Sequence, residues 1–144
     1  MLESLTTNLT RRKRLATIAR WGTLLLLLAM FIGTHLPLAD YEIISLASPA
    51  DKILHVLGYM ILAISVLASW ELTIGLLQPP HYFTVWLLGM LYSAFDEVSQ
   101  IPVGRTCDAL DWFSDILGIV LGLIFFRFAS PLLYRFVSKT TWHF

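Results

Sequence analysis

Four long apolar stretches separated by short polar links constrain the fold of this chain more than any other feature. They cover residues 15–36, 53–77, 82–98 and 111–137. A helix needs about 20 apolar residues to cross the hydrocarbon core of a bilayer. Because peptide groups in lipid need internal hydrogen bonds, only helices and closed barrels span it, and long apolar runs favour helices. The pattern predicts an all-α membrane protein with four transmembrane helices packed as one bundle.

Composition supports this class and indicates one domain. Of the 144 residues, 57% are hydrophobic and 14% are charged, which excludes an ordinary soluble globular protein. No Gly/Ser linker, charge block or internal repeat divides the sequence, so residues 1–144 are expected to form a single domain. The single cysteine, Cys107, excludes an intrachain disulfide.

The first apolar stretch has two interpretations. A basic run at residues 11–14 precedes it, an arrangement shared by secretory signal peptides and membrane anchors. No clear small-residue cleavage site follows Leu36, so we expect the segment to remain as the first helix. Arg20 lies one or two turns inside it, where its side chain is expected to reach the headgroups.

Charge asymmetry predicts the orientation of the bundle. Four helices place both termini on one side, and the side richer in Lys and Arg faces the cytoplasm. Basic residues predicted on the terminal side are Arg11, Arg12, Lys13, Arg14, Arg20, Arg127, Arg135 and Lys139, against Lys52 and Arg105 on the other. Acids predicted on the opposite side are Asp40, Glu42, Asp51, Asp96, Glu97, Asp108, Asp111 and Asp115, against Glu3 and Glu71. Both termini are therefore predicted to be cytoplasmic.

Polar residues at the ends of the predicted helices follow helical spacing. At the start of the second helix, Asp51, His55 and Tyr59 are four apart and share a face, with Lys52 beside them. At the end of the third, Tyr92, Asp96 and Gln100 repeat that spacing, and Glu97 adjoins them. These faces are expected to point towards each other inside the bundle.

The fourth helix adds a stripe of acids that continues into glycines. Asp108, Asp111 and Asp115 are spaced i, i+3 and i+7, and Gly118 and Gly122 extend the stripe. Glycines four apart let another helix approach closely, so this pair is interpreted as a packing surface. The loop before the helix contains Pro102 and Gly104, whose turn is expected to aim Arg105 back towards the carboxylates.

Two interpretations of the acidic cluster remain open. In the first it is an interfacial cap, in which Lys52 and Arg105 neutralise acids and Asp108 or Asp111 caps the fourth helix. In the second it is a ligand or catalytic cleft, since ionisable groups in a membrane are functional candidates. The candidate catalytic residues are His55, Asp96, Glu97 and Asp111, and the candidate substrate-binding residues are Asp51, Lys52, Tyr59, Gln100 and Arg105.

The excess of negative charge suggests a cofactor. Six acids of the cluster oppose Lys52 and Arg105, which would repel a phosphate if all were ionised. A hard divalent cation prefers oxygen ligands and would reverse that field. The candidate metal ligands are Asp96, Glu97, Gln100 and Asp111, and protonation of one acid is the alternative.

A set of these positions also shares its order and spacing with a known family. The positions are Asp51, Lys52, His55, Tyr59, Asp96, Glu97, Gln100, Gly104, Arg105, Asp111 and Gly118. Over residues 50–125 they resemble the motif set of the VanZ-like membrane protein family. The resemblance implies a multi-pass four-helix protein of the bacterial cytoplasmic (inner) membrane; the family takes its name from a member linked to glycopeptide (teicoplanin) resistance. The chain departs from the pattern at Asp115, where the family commonly has asparagine.

Three functional hypotheses follow, and whether the protein is an enzyme stays open among them. The first is an enzyme that acts at the outer leaflet on a lipid-linked envelope precursor, with Arg105 binding its anionic oxygens. The second is a non-catalytic accessory protein that binds membrane lipids or a partner membrane protein. The third, a transporter subunit, is less favoured because the charges cluster at one rim. No nucleic-acid binding is expected, since the basic residues flank membrane segments.

Overall fold

The computed structural model describes residues 2–36, 48–104 and 107–138, with side chains described at 9–36, 49–104 and 107–135. Expectations for Asp40, Glu42, Arg105, Lys139 and the side chain of Glu3 therefore lie outside the described residues.

Four helices make up most of the described chain, which confirms the all-α prediction. They are α1 (Leu2–His35), α2 (Ser48–Ile74), α3 (Pro79–Ser99) and α4 (Ala109–Ser138). A short 3-10 turn, Ile101–Val103, lies between α3 and α4. Helix α1 begins earlier than predicted, so the basic run at residues 11–14 lies within the helix.

Three of these helices are long and apolar enough to cross a membrane. The qualifying segments are Leu9–His35, Pro49–Ile74 and Ala109–Arg135. Helix α3, the predicted third span, has 21 residues but carries Asp96 and Glu97 near its end. Helix α3 is not among the three qualifying segments.

The link between α2 and α3 begins earlier than the predicted end of the second apolar stretch at residue 77. Helix α2 ends at Ile74, and Gly75 adopts a φ of 102°, which glycine reaches without a steric penalty. Pro79 occupies the first turn of α3, where no N–H is needed. The N–H of Gln78 donates to His81 Nδ1 at 2.9 Å. His81 thus helps to cap α3.

Hydrogen bonds between helices define the topology. Lys52 donates to Asp108 near the starts of α2 and α4, and Ser130 donates to Glu71 towards their ends, so these two helices are parallel. Thr34 donates to Asp96, which places the ends of α1 and α3 together. Helices α1 and α3 therefore run opposite to α2 and α4.

This arrangement gives the bundle two chemically different ends. We call the end formed by the C-termini of α1 and α3 and the N-termini of α2 and α4 the acidic end. The other is the basic end, where Arg12 donates to the carbonyl of Leu72 at 3.0 Å. There Arg20, expected to reach the headgroups, donates to Thr73 at 2.9 Å.

The closest helix contact joins α2 and α4. A Cβ added to Gly118 would collide with the carbonyl oxygen of Val56, and one added to Gly122 would lie 2.7 Å from the carbonyl oxygen of Met60. The two backbones therefore touch at both glycines, as the sequence spacing predicted. This contact fixes the height at which residues of α2 and α4 meet.

The surface of the bundle is largely apolar. Leu88, Phe113 and Phe128 are 60%, 59% and 77% exposed. A small core forms around Tyr59 and Leu67, which are 1% and 0% exposed. Because a soluble monomer rarely exposes apolar patches of this extent, lipid contact explains the outer surface.

Substitution of Gly118 tests the close contact of α2 and α4. We expect Gly118→Ala to lower the free energy of unfolding by about 1–3 kcal/mol, because the methyl group overpacks a backbone contact. Gly33→Ala is the matched control, since nothing lies within 4 Å of its added Cβ. Thermal unfolding in detergent measures both; equal melting temperatures for the two variants would contradict the contact.

Candidate functional site

The acidic end contains an outer group of charged residues centred on Lys52. Its Nζ lies 2.7 Å from Asp108 and 3.7 Å from Asp51, and it also contacts Asp111. Asp51 and Lys52 lie near the start of α2, and Asp108 and Asp111 lie at the start of α4. Because the two helices are parallel, their starts come together. One ammonium thus offsets part of the charge of three carboxylates.

Asp108 also stabilises the start of α4. Its Oδ1 accepts a hydrogen bond from the N–H of Leu110 at 2.9 Å, as an N-cap residue does. The hydrogen bond from Lys52 holds the pKa of Asp108 below its usual range, because it stabilises the ionised carboxylate. Two parts of the expected interfacial cap are therefore present: Lys52 lies beside the acids, and Asp108 caps α4.

His55 lies between this outer group and a deeper set of acids. Its Nδ1 is 2.8 Å from Asp115 Oδ1, the distance of an N–H donor and a carboxylate acceptor. Its Nε2 is 3.8 Å from Asp111 Oδ1 on the other side. The imidazole is therefore oriented by one carboxylate while its second nitrogen faces another.

The deeper acids form an inner group that is almost completely buried. Asp96, Glu97 and Asp115 are 2%, 2% and 0% exposed. Glu97 Oε2 accepts the N–H of Asp108 at 3.0 Å, and its Oε1 lies 3.4 Å from the amide nitrogen of Gln100. Three carboxyl groups thus lie inside the bundle, where unpaired charge is costly.

Helix α1 completes the inner group with residues that the sequence analysis missed. Thr34 donates to Asp96 Oδ1 at 3.1 Å, and His35 Nδ1 lies 3.9 Å from the same oxygen. His35 Nε2 is also 2.8 Å from the hydroxyl of Ser99. The signal available in the sequence was a polar Thr-His pair at the end of the first apolar stretch, on the predicted acidic side.

Several buried polar atoms beside this group have no hydrogen-bond partner among the described residues. They are the hydroxyl oxygens of Tyr59 and Tyr92 and the Oδ2 of Asp115. The two tyrosine rings are 6.2 Å apart. Because buried polar atoms are normally satisfied, three such atoms around one acidic cluster indicate capacity for a polar ligand.

Two sets of side chains are close enough to hold a metal ion. His55, Glu97 and Asp115 offer ligand atoms within 4.8 Å of one another, and so do Asp51, His55 and Asp111. These sets differ from the combination predicted from sequence: Glu97 and Asp111 fall in different sets. Asp96, the other predicted carboxylate ligand, belongs to neither.

The remaining predicted site residues are placed as follows. Gln100 is buried beside Glu97, and Tyr59 is buried in the core at the same end of the bundle. Arg105, the predicted clamp for anionic oxygens, lies outside the described residues. The predicted residues of α2, α3 and α4 that the structure describes thus lie together at the acidic end, and α1 packs beside them through Thr34 and His35.

Comparison with known families identifies the family. A family model described as VanZ/LLP1 matches residues 4–130. The chain belongs to the VanZ/LLP1 family. The match confirms the resemblance inferred from residues 50–125, and it extends over most of α1 as well. Neither the curated proteins nor the solved structures gave a match.

Removal of the Lys52 charge tests the outer group. Lys52→Gln should lower the melting temperature at neutral pH, because three carboxylates lose their shared cation. Because the pKa of Asp108 is lowered, its contact with Lys52 stabilises the fold fully at pH values above the ordinary Asp pKa. This stabilisation is lost as the pH falls through the lowered pKa of Asp108. The difference in melting temperature between the wild type and Lys52→Gln should therefore become smaller below about pH 4.

Lys13→Gln provides the control for this measurement, since Lys13 is exposed on α1 at the basic end. A Lys52→Gln deficit that stays constant from neutral to strongly acidic pH would contradict the ion-pair explanation.

Proposed function

We propose that this VanZ-family protein binds the phosphate headgroup of an envelope lipid or lipid-linked precursor through a divalent cation held by His55, Glu97 and Asp115. The observation that carries the proposal is Asp115 Oδ2, which is completely buried and has no hydrogen-bond partner among the described residues. An unpaired carboxylate oxygen next to a second buried acid is the environment that a cation stabilises.

The distribution of charge supports a cation at the inner group in preference to the outer one. Lys52 already neutralises part of the outer group. In the inner group, the ion-pair partners among the described residues are the histidines His35 and His55, with no Lys or Arg. A divalent cation would supply the missing positive charge and attract a phosphate that the acids alone would repel.

The proposed ligand set also fits the known preferences of metal ions for carboxylate and imidazole ligands. Carboxylate oxygens suit Mg²⁺, Ca²⁺ and Mn²⁺, and an imidazole nitrogen is accepted by Mn²⁺ and softer divalent ions. Asp111 would orient His55 from the outer side, since it lies 3.8 Å from Nε2. Asp96, which belongs to neither candidate metal set, is the group available to move a proton if a reaction occurs.

The headgroup would enter from the membrane surface. Lys52, Asp51 and Gln100 border the proposed cation site and are the described candidates for contacts with the headgroup, with Tyr59 supplying a hydroxyl from below. Arg105 remains a proposed anion-binding residue on sequence grounds. Whether binding leads to reaction depends on the substrate, and an accessory role without chemistry uses the same contacts.

This function places the acidic end outside the cytoplasm. We propose that α3 is a fourth crossing, because 21 residues rise about 31 Å, close to the thickness of the hydrocarbon core. Both termini would then lie in the cytoplasm of a bacterial inner-membrane protein, as the excess of basic residues at the basic end favours. The acids would face the outer leaflet.

Binding of a polyprenyl diphosphate to the purified full chain tests the proposal. We expect retention of this probe in the presence of Mg²⁺ or Mn²⁺ and its loss with a chelator. Glu97→Gln should weaken binding by about tenfold or more, the cost of one charge-assisted ligand contact. Glu71→Gln is the matched control, because Glu71 is a buried glutamate at the opposite end.

Product analysis in the same experiment separates the two roles. A new lipid product that disappears with Glu97→Gln identifies an enzyme, and binding without product identifies an accessory protein. Metal-independent retention, or equal losses for Glu97→Gln and Glu71→Gln, would refute the cation-mediated site.

A further inference from the structure

A cavity lined by both polar and apolar side chains lies at the basic end, remote from the proposed cation site. It occupies about 630 Å³ between the α2–α3 link and the C-terminal part of α4. Its polar lining includes Gln78, Tyr82, Arg127, Tyr134 and Arg135. This volume falls within the range of about 300–1,000 Å³ typical of small-molecule sites.

The described lining residues are rich in hydrogen-bond donors and include no acid. The guanidinium group of Arg127 makes no ion pair or hydrogen bond with the described residues, and Arg127 is exposed. Among the side chains that the structure describes, the acid near this cavity is Glu71, which is 4% exposed and already accepts a hydrogen bond from Ser130 at 2.7 Å. The cavity therefore presents guanidinium, phenol and amide groups that suit an anionic oxygen ligand.

The backbone of α4 is also interrupted at this cavity. Pro131 lies inside the helix and lines the cavity, and its nitrogen cannot donate to the carbonyl of Arg127. The segment from Arg127 to Arg135 thus combines two guanidinium groups with a break in the helical ladder. Tyr134 supplies a further hydroxyl from the same face.

The position of the cavity favours a lipid over a soluble ligand. Arg135 ends the apolar segment Ala109–Arg135, which is the depth of phospholipid headgroups, and Arg127 lies about two turns before it. Next to them on α4, Phe128 and Leu132 are 77% and 66% exposed, and they offer an apolar surface for acyl chains. A phosphate bound in the cavity would therefore have its chains along an apolar helix face.

We propose that this cavity binds the phosphate of an anionic glycerophospholipid in the leaflet at the basic end, with Arg127 as the principal contact. The proposal is independent of the proposed function at the acidic end. Basic pockets between transmembrane helices are a recurrent means of holding anionic headgroups. The bound lipid would join the α2–α3 link to the end of α4.

Native mass spectrometry of the full chain in detergent tests the site, with phosphatidylglycerol and phosphatidylcholine as probes. We expect preferential retention of phosphatidylglycerol, and about tenfold weaker retention in Arg127→Gln, which loses a charge-assisted contact. Arg14→Gln is the matched control, because it removes the same charge at the same end but lines a separate cavity. Its phosphatidylglycerol retention should match that of the wild type.

Competition with inorganic phosphate distinguishes the ligand source. Persistence of the phosphatidylglycerol complex supports a lipid site, whereas its displacement by inorganic phosphate would overturn it in favour of a soluble anion. Equal retention of the two lipids by the wild type, or equal losses in Arg127→Gln and Arg14→Gln, would show diffuse attraction to a basic surface and also overturn the proposal. Melting temperatures establish that each variant is folded.

Discussion

The close contact between α2 and α4 is the constraint on which the rest of the structure depends. Gly118 and Gly122 remove the side chains that would separate the helices, so their backbones meet at Val56 and Met60. Less than one turn from this contact, Asp115 reaches His55. Further along in each direction, Lys52 reaches Asp108 and Ser130 reaches Glu71. One packing contact thus aligns polar interactions at both ends.

This alignment separates the charges of the acidic end by depth. The outer carboxylates share Lys52 and solvent, and Asp108 also caps α4, so they can be explained by stability alone. The inner carboxylates are buried and their partners among the described residues are neutral hydrogen-bond donors or histidines. Because burial of three ionised acids opposes folding in a membrane, this arrangement supports the proposed cation site at the inner group.

Much of this arrangement follows from patterns of period 3.6 in the sequence. The spacing of Asp51, His55 and Tyr59 predicts one face, and the glycines after Asp115 predict the surface that docks against it. The role of His35 was missed because spacing within one helix cannot reveal partners on another. The burial of Glu71 was not predicted for the same reason: its hydrogen-bond partner, Ser130, lies on another helix, 59 residues away. The end of α2 also differs from the prediction, because the chain turns at Gly75 and the helix stops at Ile74, before the predicted limit at residue 77.

The most direct test of the central claim is pulsed electron paramagnetic resonance of Mn²⁺ bound to protein with ¹⁵N-labelled histidine. We expect a nitrogen coupling from one directly bound imidazole, lost in His55→Ala and kept in His81→Ala, which alters a histidine at the opposite end. A Mn²⁺ signal with water ligands alone, or one unchanged by His55→Ala, would contradict a cation held by His55, Glu97 and Asp115.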